Sequence, residues 1–351
     1  MYKEKGYTSH DVVAVVRKIL SQYKASKTEL KTELTETTKA KTTKGKETKT
    51  KTARIKTGHT GTLDPQAEGV LPICVGRATK LAGYLTAADK SYQAELILGM
   101  TTDTYDHTGQ ILTTAPIDAE ALTSAAIKEA VDFFAGGYMQ TPPIYSAIKV
   151  GGKKLYDLAR AGKTAEIKPR WVEIKRIDVI IKPECNIWLD IDCGKGTYIR
   201  SLCADIGNKL GCGGCMGDLI RTKSGFFSIE ESVKLSKLKN VFEGNNVSED
   251  DTLTEGGTLS EYDTLTGENK DKLLENFLIP PEHAFPALRG VVSSFPKARN
   301  GNPIPRSHVH FKNETPKEGG HCWLWENEIL LGLYINRNGM LRPEVVMYEN
   351  H

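Results

Sequence analysis

Two strongly polar segments divide the chain and limit where a folded core can form. Residues 26–52 contain ten Thr, eight Lys and four Glu, whereas residues 240–276 contain ten acidic residues and two Lys. A stretch like the first cannot bury enough apolar surface to offset the entropy lost on ordering, so we expect a disordered insert there. The second is typical of an acidic linker. We therefore expect a first domain at residues 1–239, which carries the insert, and a second at residues 277–351.

The formal net charge of +3 hides a strong segregation of charge along the chain. The Lys/Thr-rich segment carries +4 and the acidic segment −8, so the remaining residues carry +7. A body of that sign suits a polyanionic partner such as nucleic acid; an ordinary solvated surface is the alternative. The acidic segment would repel RNA and is expected to lie away from any binding face.

Length and composition exclude several classes of protein. The 351 residues leave room for one large domain and a smaller one. No stretch approaches the roughly 20 apolar residues of a membrane span, and the apolar run at residues 12–16 is followed by two basic residues. Seven cysteines indicate free thiols in a reducing cytoplasm rather than a disulfide framework. Cys212 and Cys215 have half the spacing of a zinc ribbon without a second pair, so we predict no metal site.

Hydrophobic periodicity and turn residues predict a mixture of helices and strands. Ser9 is expected to cap a first helix, and Asp118 a helix that runs to about Ala135. The other predicted elements are a helix at residues 200–210, strands at 92–100, 172–181 and 187–193, and short strands within 286–351. This order predicts an α+β body followed by a small β-barrel.

The most informative stretch is the run GHTGTLDPQAEGVLP at residues 58–72. Further blocks follow in order, namely KSY at 90–92, TDTYD at 102–106, QTPPIYSA at 140–147, LYDLARAG at 155–162, GKGTYIR at 194–200 and DLIRT at 218–222. Together they resemble the bacterial tRNA pseudouridine synthase B family, whose signature is G-H-T-G-x-L-D-P-x-A-x-G-V-L-P. The resemblance covers roughly residues 3–25, 53–239 and, more weakly, 278–351.

The resemblance implies a pseudouridine synthase fold, with a mixed, largely antiparallel sheet and a C-terminal PUA-like barrel that binds RNA. It implies an isomerase that flips uridine 55 out of the T-loop of tRNA and converts it to pseudouridine. The expected partner is the T-arm of tRNA, bound in the cytoplasm by a monomer that needs no protein partner and no membrane. Neither a cofactor nor a metal is expected.

Three residues match the family's catalytic positions. Asp64 matches the nucleophile, and a carboxylate can attack at a glycosidic centre without a redox cofactor. Taken alone, its Asp-Pro sequence is more often a turn. Arg200 matches the arginine that pairs with this carboxylate, for which a permanently charged guanidinium is well suited. Tyr92 matches the tyrosine that stacks on the target base and handles the proton leaving C5.

Five further residues match substrate-binding positions. His59 matches the histidine that fills the gap left by base extrusion, and Tyr198 and Leu219 match walls of the pocket. Asp106 matches a position at the pocket rim, and Lys3 a lysine that orders the nucleophile loop. Residue type and position also suggest phosphate contacts for Lys149, Lys153, Lys154, Arg160 and Arg221.

The N-terminus departs from the family pattern, which opens with a short strand and a Lys-Pro-x-Gly turn. This chain begins MYKEKG, with Glu4 in the proline position, and we expect the leading strand to be missing. In the second domain the PUA resemblance is weak, and the run from Arg299 to Gly301 is its best anchor.

Other functions are compatible with parts of this pattern. A non-catalytic tRNA-binding or tRNA-folding protein would keep the cleft, although Asp64, Tyr92 and Arg200 are all intact. A guide-dependent synthase acting on ribosomal RNA with partner proteins would share the chemistry, but the arrangement of blocks is typical of a stand-alone enzyme. A glycosidase would need a second carboxylate as general acid, and no motif supplies one.

Overall fold

The computed structural model describes residues 1–36, 55–117, 123–146, 148–162, 166–181, 187–243, 274, 276–293 and 296–348. The helices are α1 (Ser9–Glu36), α2 (Ala82–Thr86), α3 (Ser124–Asp132), α4 (Leu155–Arg160), α5 (Ile199–Lys209), α6 (Leu235–Glu243) and α7 (Pro281–Ala284). The strands of the first part are β1 (Tyr2–Lys3), β2 (Thr57–His59), β3 (Glu68–Val70), β4 (Ile73–Val75), β5 (Lys90–Leu98), β6 (Met100–Thr102), β7 (Ile111–Thr114), β8 (Tyr138–Gln140), β9 (Lys149–Val150), β10 (Lys153–Lys154), β11 (Arg170–Val172), β12 (Ile174–Ile181), β13 (Ile187–Cys193), β14 (Gly214–Ser224) and β15 (Phe227–Ser228). The C-terminal strands are β16 (Leu288–Val292), β17 (Ile304–Pro305), β18 (Val309–Phe311), β19 (His321–Glu326), β20 (Ile329–Arg337) and β21 (Met340–Val346).

A mixed sheet organises the first part of the chain, with strand order β1-β3-β14-β5-β13-β12 and β15 beside β14. Its pairs are antiparallel except for β14 with β3, which is parallel. Burial alternates along β5, so Tyr92, Ala94 and Leu96 share the buried face. The predicted mixed, largely antiparallel sheet is therefore confirmed.

Helices from three parts of the sequence build the core against this sheet. Apolar side chains from α1, α3 and α5 join those of the strands, among them Val12, Val16, Ile19, Ile127, Val131, Ile199, Leu202 and Ile206. Each fully buried side chain of this size stabilises the fold by roughly 1.5–3 kcal/mol. The opposite face is polar, where Arg176 forms ion pairs with Asp178, Asp190 and Asp192.

The leading strand that we expected to be missing is present. Residues Tyr2 and Lys3 form β1, which pairs antiparallel with β3 through Tyr2–Val70 and Lys3–Gly69. The proline that Glu4 replaces lies just after this strand, so its loss leaves the strand's own hydrogen bonds in place. The prediction was wrong because it treated the turn sequence as a requirement for the strand.

Helix α1 differs from its prediction at both ends. Thr8 rather than Ser9 caps it: the Thr8 amide donates to Asp11 Oδ2 at 2.8 Å, and the Asp11 amide donates to Thr8 Oγ1 at 3.1 Å. This reciprocal pair is a capping box. The helix runs on to Glu36, into the segment predicted to be disordered, because no Gly or Pro interrupts the sequence before Gly45. The rest of that segment, residues 37–52, lies outside the described residues.

Helix α3 begins later than predicted. It starts at Ser124, and its cap is Thr123, whose Oγ1 accepts a hydrogen bond from the Ala126 amide at 3.2 Å. The predicted cap Asp118 lies outside the described residues. In the acidic linker, residues 240–243 continue α6, and residues 244–273 also lie outside the described part.

The expected small C-terminal barrel is confirmed as a nearly closed six-stranded sheet. Its strand order is β17-β21-β20-β19-β16-β18, and β16 and β19 are parallel. Its apolar core includes Ile304, Leu324, Leu331, Tyr334 and Leu341. Within the described ranges, no helix has the length and apolar character to cross a membrane.

The barrel packs against the α2 region of the first part. Leu81, Leu85 and Cys74 share a buried apolar cluster with Trp323, Leu333, Val345 and Met347. Lys80 Nζ adds a hydrogen bond to the Val346 carbonyl at 2.8 Å. The barrel is therefore joined to the sheet domain through an apolar core rather than through surface contacts alone.

Candidate active site

The loop that carries Asp64 is clamped by the N-terminus of the chain. Lys3 is fully buried, and its Nζ donates to the carbonyls of Ala67 at 2.6 Å, Pro65 at 3.0 Å and Glu4 at 3.1 Å. Burial lowers the Lys3 pKa to about 8, and the carboxylates of Asp64 and Glu68 oppose that shift. The ammonium thus satisfies carbonyls on both sides of the loop's turn.

Helix α1 holds the same loop from its other side. Ser9 Oγ accepts a hydrogen bond from the Leu63 amide at 2.9 Å and donates to the Leu63 carbonyl at 3.0 Å. The residue that we expected to cap α1 therefore fixes the position just before Asp64. Such bonds to a short loop hold its backbone in one conformation.

Arg200 lies in the first turn of α5 and reaches the Asp64 carboxylate. Its Nε lies 3.0 Å from Asp64 Oδ2, and its side chain is 8% exposed compared with 41% for Asp64. Two terminal bonds fix the guanidinium, to the Thr104 carbonyl at 3.1 Å and to the Tyr145 carbonyl at 3.0 Å. A buried, immobilised cation therefore orients a carboxylate that remains open to solvent.

Asp106 joins this network from the β6–β7 loop. Its Oδ2 lies 3.6 Å from Arg200 Nη1, and its Oδ1 accepts bonds from Thr104 Oγ1 at 2.9 Å and Thr108 Oγ1 at 2.6 Å. Tyr105, between Thr104 and Asp106, has a φ of 62°. A bulky residue in the left-handed region is strained, which often accompanies functional sites.

Tyr92 and Leu219 lie on neighbouring strands of the main sheet. Tyr92, in β5, pairs with Ile191 on one side and Arg221 on the other, and Leu219 pairs with Ala94. Both side chains are at least nine-tenths buried. Burial raises the Tyr92 pKa, and the Arg221 guanidinium opposes the shift. The phenol therefore stays protonated at neutral pH.

Tyr198 is fixed by a side chain that sequence reasoning did not assign. Gln140 Oε1 accepts from the Tyr198 amide at 2.8 Å, and Gln140 Nε2 donates to the Tyr198 carbonyl at 3.0 Å. This pair of bonds fixes the residue just before α5 and hence two positions before Arg200. The QTPPIYSA block was the available signal for Gln140, but a buried glutamine's partner cannot be read from it.

The Asp64 carboxylate affects the pKa of three other predicted site residues. Burial is the main cause of the raised pKa of Tyr92 and Tyr198, and the Asp64 carboxylate adds to it in both. The same carboxylate supports the charged form of Lys3. Residues from three separate parts of the sequence therefore lie within reach of the Asp64 charge.

His59 ends β2 beside the Asp64 loop and is half-buried. Its ring meets the ring of His10 edge-on, with centroids 5.3 Å apart. Burial lowers its pKa, and the charges of His10 and Arg221 add to that effect. The imidazole is therefore neutral at pH 7, which suits a ring that must sit among stacked bases.

Arg221 is not the phosphate contact that we expected. It is only 1% exposed, and it donates from Nε to the Val70 carbonyl at 2.7 Å and from Nη2 to the Gly61 carbonyl at 3.1 Å. Gly69 passes so close that a Cβ there would lie 2.3 Å from the Arg221 carbonyl oxygen. Arg221 is a buried structural cation because β14 places it inside the sheet, opposite Tyr92.

Of the other expected phosphate contacts, Lys153 is exposed. The side chains of Lys149, Lys154 and Arg160 lie outside the described part of the structure. The phosphate assignments therefore stay predictions.

Comparison with protein families finds two adjacent matches. Residues 44–199 match the TruB family pseudouridylate synthase N-terminal domain, and residues 200–285 match the tRNA pseudouridylate synthase B C-terminal domain. The boundary between them falls at the start of α5, inside the sheet domain. The strands of the barrel lie beyond both matches.

Curated relatives and solved structures agree with these matches. The chain is 44% identical over 237 residues to tRNA pseudouridine synthase B of Alkaliphilus oremlandii, covering 68% of each chain. It is 42% identical over 249 residues to that of Clostridioides difficile, covering 70% of this chain and 71% of the other.

Among solved structures, an H/ACA RNP bound to a substrate RNA containing 2′-deoxyuridine aligns with a TM-score of 0.60 at 20% identity, covering 99% of this chain and 84% of that one. An archaeal box H/ACA sRNP Nop10–Cbf5 complex aligns with a TM-score of 0.58 at 21% identity, covering 96% and 77%. At such identities the likeness shows the fold, and it confirms the expected pseudouridine synthase fold. With the family matches and the curated relatives, it shows that the chain belongs to the TruB family of pseudouridylate synthases.

Proposed function

We propose that this isomerase acts on tRNA, where it converts uridine 55 of the T-loop to pseudouridine with Asp64 as the nucleophile. The observation that carries the proposal is the contact between Asp64 Oδ2 and the buried Arg200 guanidinium at 3.0 Å, beside the buried ring of Tyr92. The curated relatives act on tRNA by name, and the body's charge of +7 outside the two polar segments suits that substrate.

The reaction exchanges one bond to the ribose for another. The C1′–N1 bond breaks, the uracil turns, a C1′–C5 bond forms, and C5 loses a proton while N1 gains one. Arg200 holds Asp64 in position through a charge-assisted contact, so that its carboxylate can attack and later leave. The exposure of Asp64 gives the substrate access to the carboxylate. The burial of Arg200 limits the competition of water for the guanidinium and so strengthens the ion pair.

Tyr92 and Leu219 form the two sides of the base-binding slot. The ring of Tyr92 gives the uracil an aromatic face, and Leu219 gives it an apolar wall. Because the buried Tyr92 phenol stays protonated, the C5 proton can pass through it only if the phenol proton moves on in the same step. The Asp64 carboxylate, once freed from the substrate, is the acceptor we assign; it passes the proton on to solvent, from which N1 takes its own.

Four residues support base extrusion and the geometry of the site. His59, neutral and beside the nucleophile loop, fills the space that the flipped base leaves in the T-loop. Tyr198 lines the pocket beside Arg200. Asp106 holds the guanidinium from its far side, and Lys3 holds the backbone of the nucleophile loop.

The proposed enzyme needs only its tRNA substrate and its own two domains. The enzyme acts on the T-arm as a cytoplasmic monomer without an obligatory protein partner. Residues 1–239 are its catalytic domain, and residues 277–351 an RNA-binding domain. The 44% identity to a tRNA enzyme, set against about 20% to the H/ACA structures, favours this over guide-dependent action on ribosomal RNA.

The test is to incubate the purified protein with an unmodified tRNA transcript and to map pseudouridine at single-nucleotide resolution, with Asp64→Asn in parallel. We expect conversion at the T-loop uridine by the wild type and a loss of roughly 10³-fold or more in Asp64→Asn, with tRNA binding retained. Asp178→Asn, on the outer face of the sheet, is the matched control and should remain active.

Each alternative predicts a different outcome. Tight binding without conversion by the wild type would support the non-catalytic protein. Conversion only after a guide RNA and partner proteins are added would support the ribosomal RNA enzyme. Full activity in Asp64→Asn would exclude the assigned nucleophile.

A further inference from the structure

A cavity of about 490 Å³ opens between β8, β11 and the loop before α5. Its lining includes Gln140, Pro142, Arg170, Trp171, Lys195 and Tyr198. Tyr198 thus borders both this cavity and the pocket assigned to the uracil.

Trp171 is unusually exposed for a tryptophan. It lies in β11, and 64% of its surface faces solvent. One edge of the indole is held against the backbone, since a Cβ at Gly137 would lie 3.0 Å from its Cζ2. A tryptophan normally buries about 150–250 Å² of apolar surface, so a ring left this open is unfavourable for the fold alone. An aromatic face that is held in place but uncovered suits a stacking partner.

Two exposed cations line the same cavity as Trp171. Arg170 precedes it in β11, and Lys195 reaches the cavity from the loop before α5. The charge of Arg170 is also felt at the catalytic pocket, where it opposes the burial that raises the Tyr198 pKa. Two cations and an open aromatic ring that line one cavity match a nucleotide, which offers a phosphate and a base.

Gln140 links this surface rigidly to the catalytic residues. In the β8–β11 pair, Gln140 lies opposite Arg170 and Met139 opposite Trp171. The Gln140 side chain holds the Tyr198 backbone through bonds of 2.8 and 3.0 Å. Trp171 is therefore fixed relative to Tyr198 and, through α5, to Arg200.

We propose that Arg170, Trp171 and Lys195 form a second nucleotide subsite for the tRNA substrate. The base of a nucleotide next to the flipped uridine stacks on Trp171, and its phosphate lies between Arg170 and Lys195. The subsite rests on the proposed function, because it takes the nucleotide adjoining the one that reacts. The subsite would hold the T-loop backbone in place while the target uridine is flipped out of the stack of T-loop bases.

The first experiment uses tryptophan fluorescence. An unmodified T-arm hairpin is titrated into the wild type and into Trp171→Phe, which leaves three tryptophans in the chain. A base stacked on the indole should quench its emission, so the RNA-dependent quenching should largely disappear in Trp171→Phe. Quenching that is the same in both proteins would overturn the proposal.

The second experiment measures affinity and turnover for the same hairpin. Loss of one base–aromatic stack in Trp171→Ala should raise Kd roughly 5- to 100-fold, and Trp171→Phe should recover most of the loss. The matched control is Phe133→Ala. Phe133 is 61% exposed but contacts Lys209 at the far end of α5 from Tyr198. An unchanged Kd in Trp171→Ala, or an equal loss in the control, would contradict the subsite.

The cations are tested by salt dependence. Arg170→Gln and Lys195→Gln should each lower the slope of log Kd against log salt by about 1, as expected for one phosphate contact. Lys128→Gln, which breaks an exposed ion pair with Asp132 in α3, should leave the slope unchanged. Unchanged slopes in both subsite variants would contradict the phosphate contact.

Failure of the subsite and failure of the proposed function are distinguishable. If the wild type does not convert the T-loop uridine, the proposed function falls whatever Trp171 does. If it does convert that uridine while RNA leaves the Trp171 emission and affinity unchanged, only the subsite falls.

Discussion

The catalytic sheet and the C-terminal barrel handle buried polarity in opposite ways. Four cations are buried in the sheet domain, namely Lys3, Lys90, Arg200 and Arg221. In the described part of the barrel, the buried polar side chain is Asn336, whose Nδ2 donates to the Pro316 carbonyl at 2.8 Å. Burying a charge costs several kcal/mol unless hydrogen bonds satisfy it. The sheet domain therefore carries a cost that the barrel avoids.

Most of the buried cations bind the loop that carries Asp64. Lys3 and Arg221 bind carbonyls of the loop around Asp64, and Arg200 binds Asp64 itself. Lys90 binds the carbonyls of Ala88 at 2.5 Å and Thr86 at 2.6 Å, at the start of β5. Three of the four cations thus fix one irregular loop, which has no ladder of its own to hold it. The barrel presents regular strands, whose own hydrogen bonds suffice.

The largest expected effect that sharpens this comparison is at Arg221. In Arg221→Met the carbonyls of Val70 and Gly61 lose a buried donor, which costs about 1–3 kcal/mol each in unfolding free energy. The variant also removes the hydrogen bond to Gly61, near Asp64, and the guanidinium next to Tyr92. We therefore expect kcat to fall at least about tenfold, with KM changed far less. Turnover and thermal unfolding measured on the same preparation would check this.

Two further variants separate positioning from bulk stability at this position. Arg221→Lys keeps the charge and one donor and should recover part of kcat. Arg176→Met removes an arginine from the exposed face of the same sheet, and it should change stability by less than about 1 kcal/mol and leave kcat intact. Equal loss of kcat in Arg221→Met and Arg176→Met would break the comparison.

A smaller effect is expected in the barrel at Trp323. Its indole is 1% exposed, and its Nε1 donates to the Phe285 carbonyl at 2.7 Å. Trp323→Phe should cost roughly 1–3 kcal/mol in unfolding free energy, through the lost hydrogen bond and the smaller ring. On folded protein below the unfolding transition, kcat should stay within about twofold of the wild type. A tenfold fall in kcat without a change in melting temperature would show that the barrel also positions catalytic groups.

The smallest expected effect concerns pH and His59. In the folded chain burial holds its pKa below the ordinary value of 6.5, so the unfolded chain takes up the proton first as the pH falls. Stability is therefore lost below about pH 6.5. Since His59 is half-buried, the loss should be a few tenths of a kcal/mol. Melting temperatures between pH 7.5 and pH 5.5, about one unit on each side of that pKa, should decline less in His59→Phe than in the wild type. Parallel decline in both proteins would assign the acid sensitivity elsewhere.

Local sequence patterns predicted the regular elements well. The alternation along β5, the helix at residues 199–209 and the strands around β12 and β13 follow from side-chain periodicity, which is a local property. Cap positions were less predictable. Thr8 and Thr123 cap the helices for which Ser9 and Asp118 were expected, because several neighbouring residues could serve and only the backbone's path selects one.

The errors at Arg221 and β1 share a cause. An arginine in a nucleic-acid enzyme suggests a phosphate contact, but the register of β14 against β5 turns this one toward Tyr92. Likewise, whether two residues form an edge strand depends on β3 being available to pair with them. Both outcomes depend on pairings between distant parts of the chain.

By itself, the sequence determined the family, the order of elements and the identity of the residues that meet at the site. The family and the site residues can be identified from short contiguous motifs, and the elements from local periodicity. Tertiary structure alone decided the roles that depend on distant neighbours. It set the Arg200–Asp64 distance, turned Ser9 from a helix cap into a clamp on Leu63, buried Arg221 and left Trp171 open. Hydrogen bonding and burial act between residues that are close in space, and a one-dimensional pattern does not record that closeness.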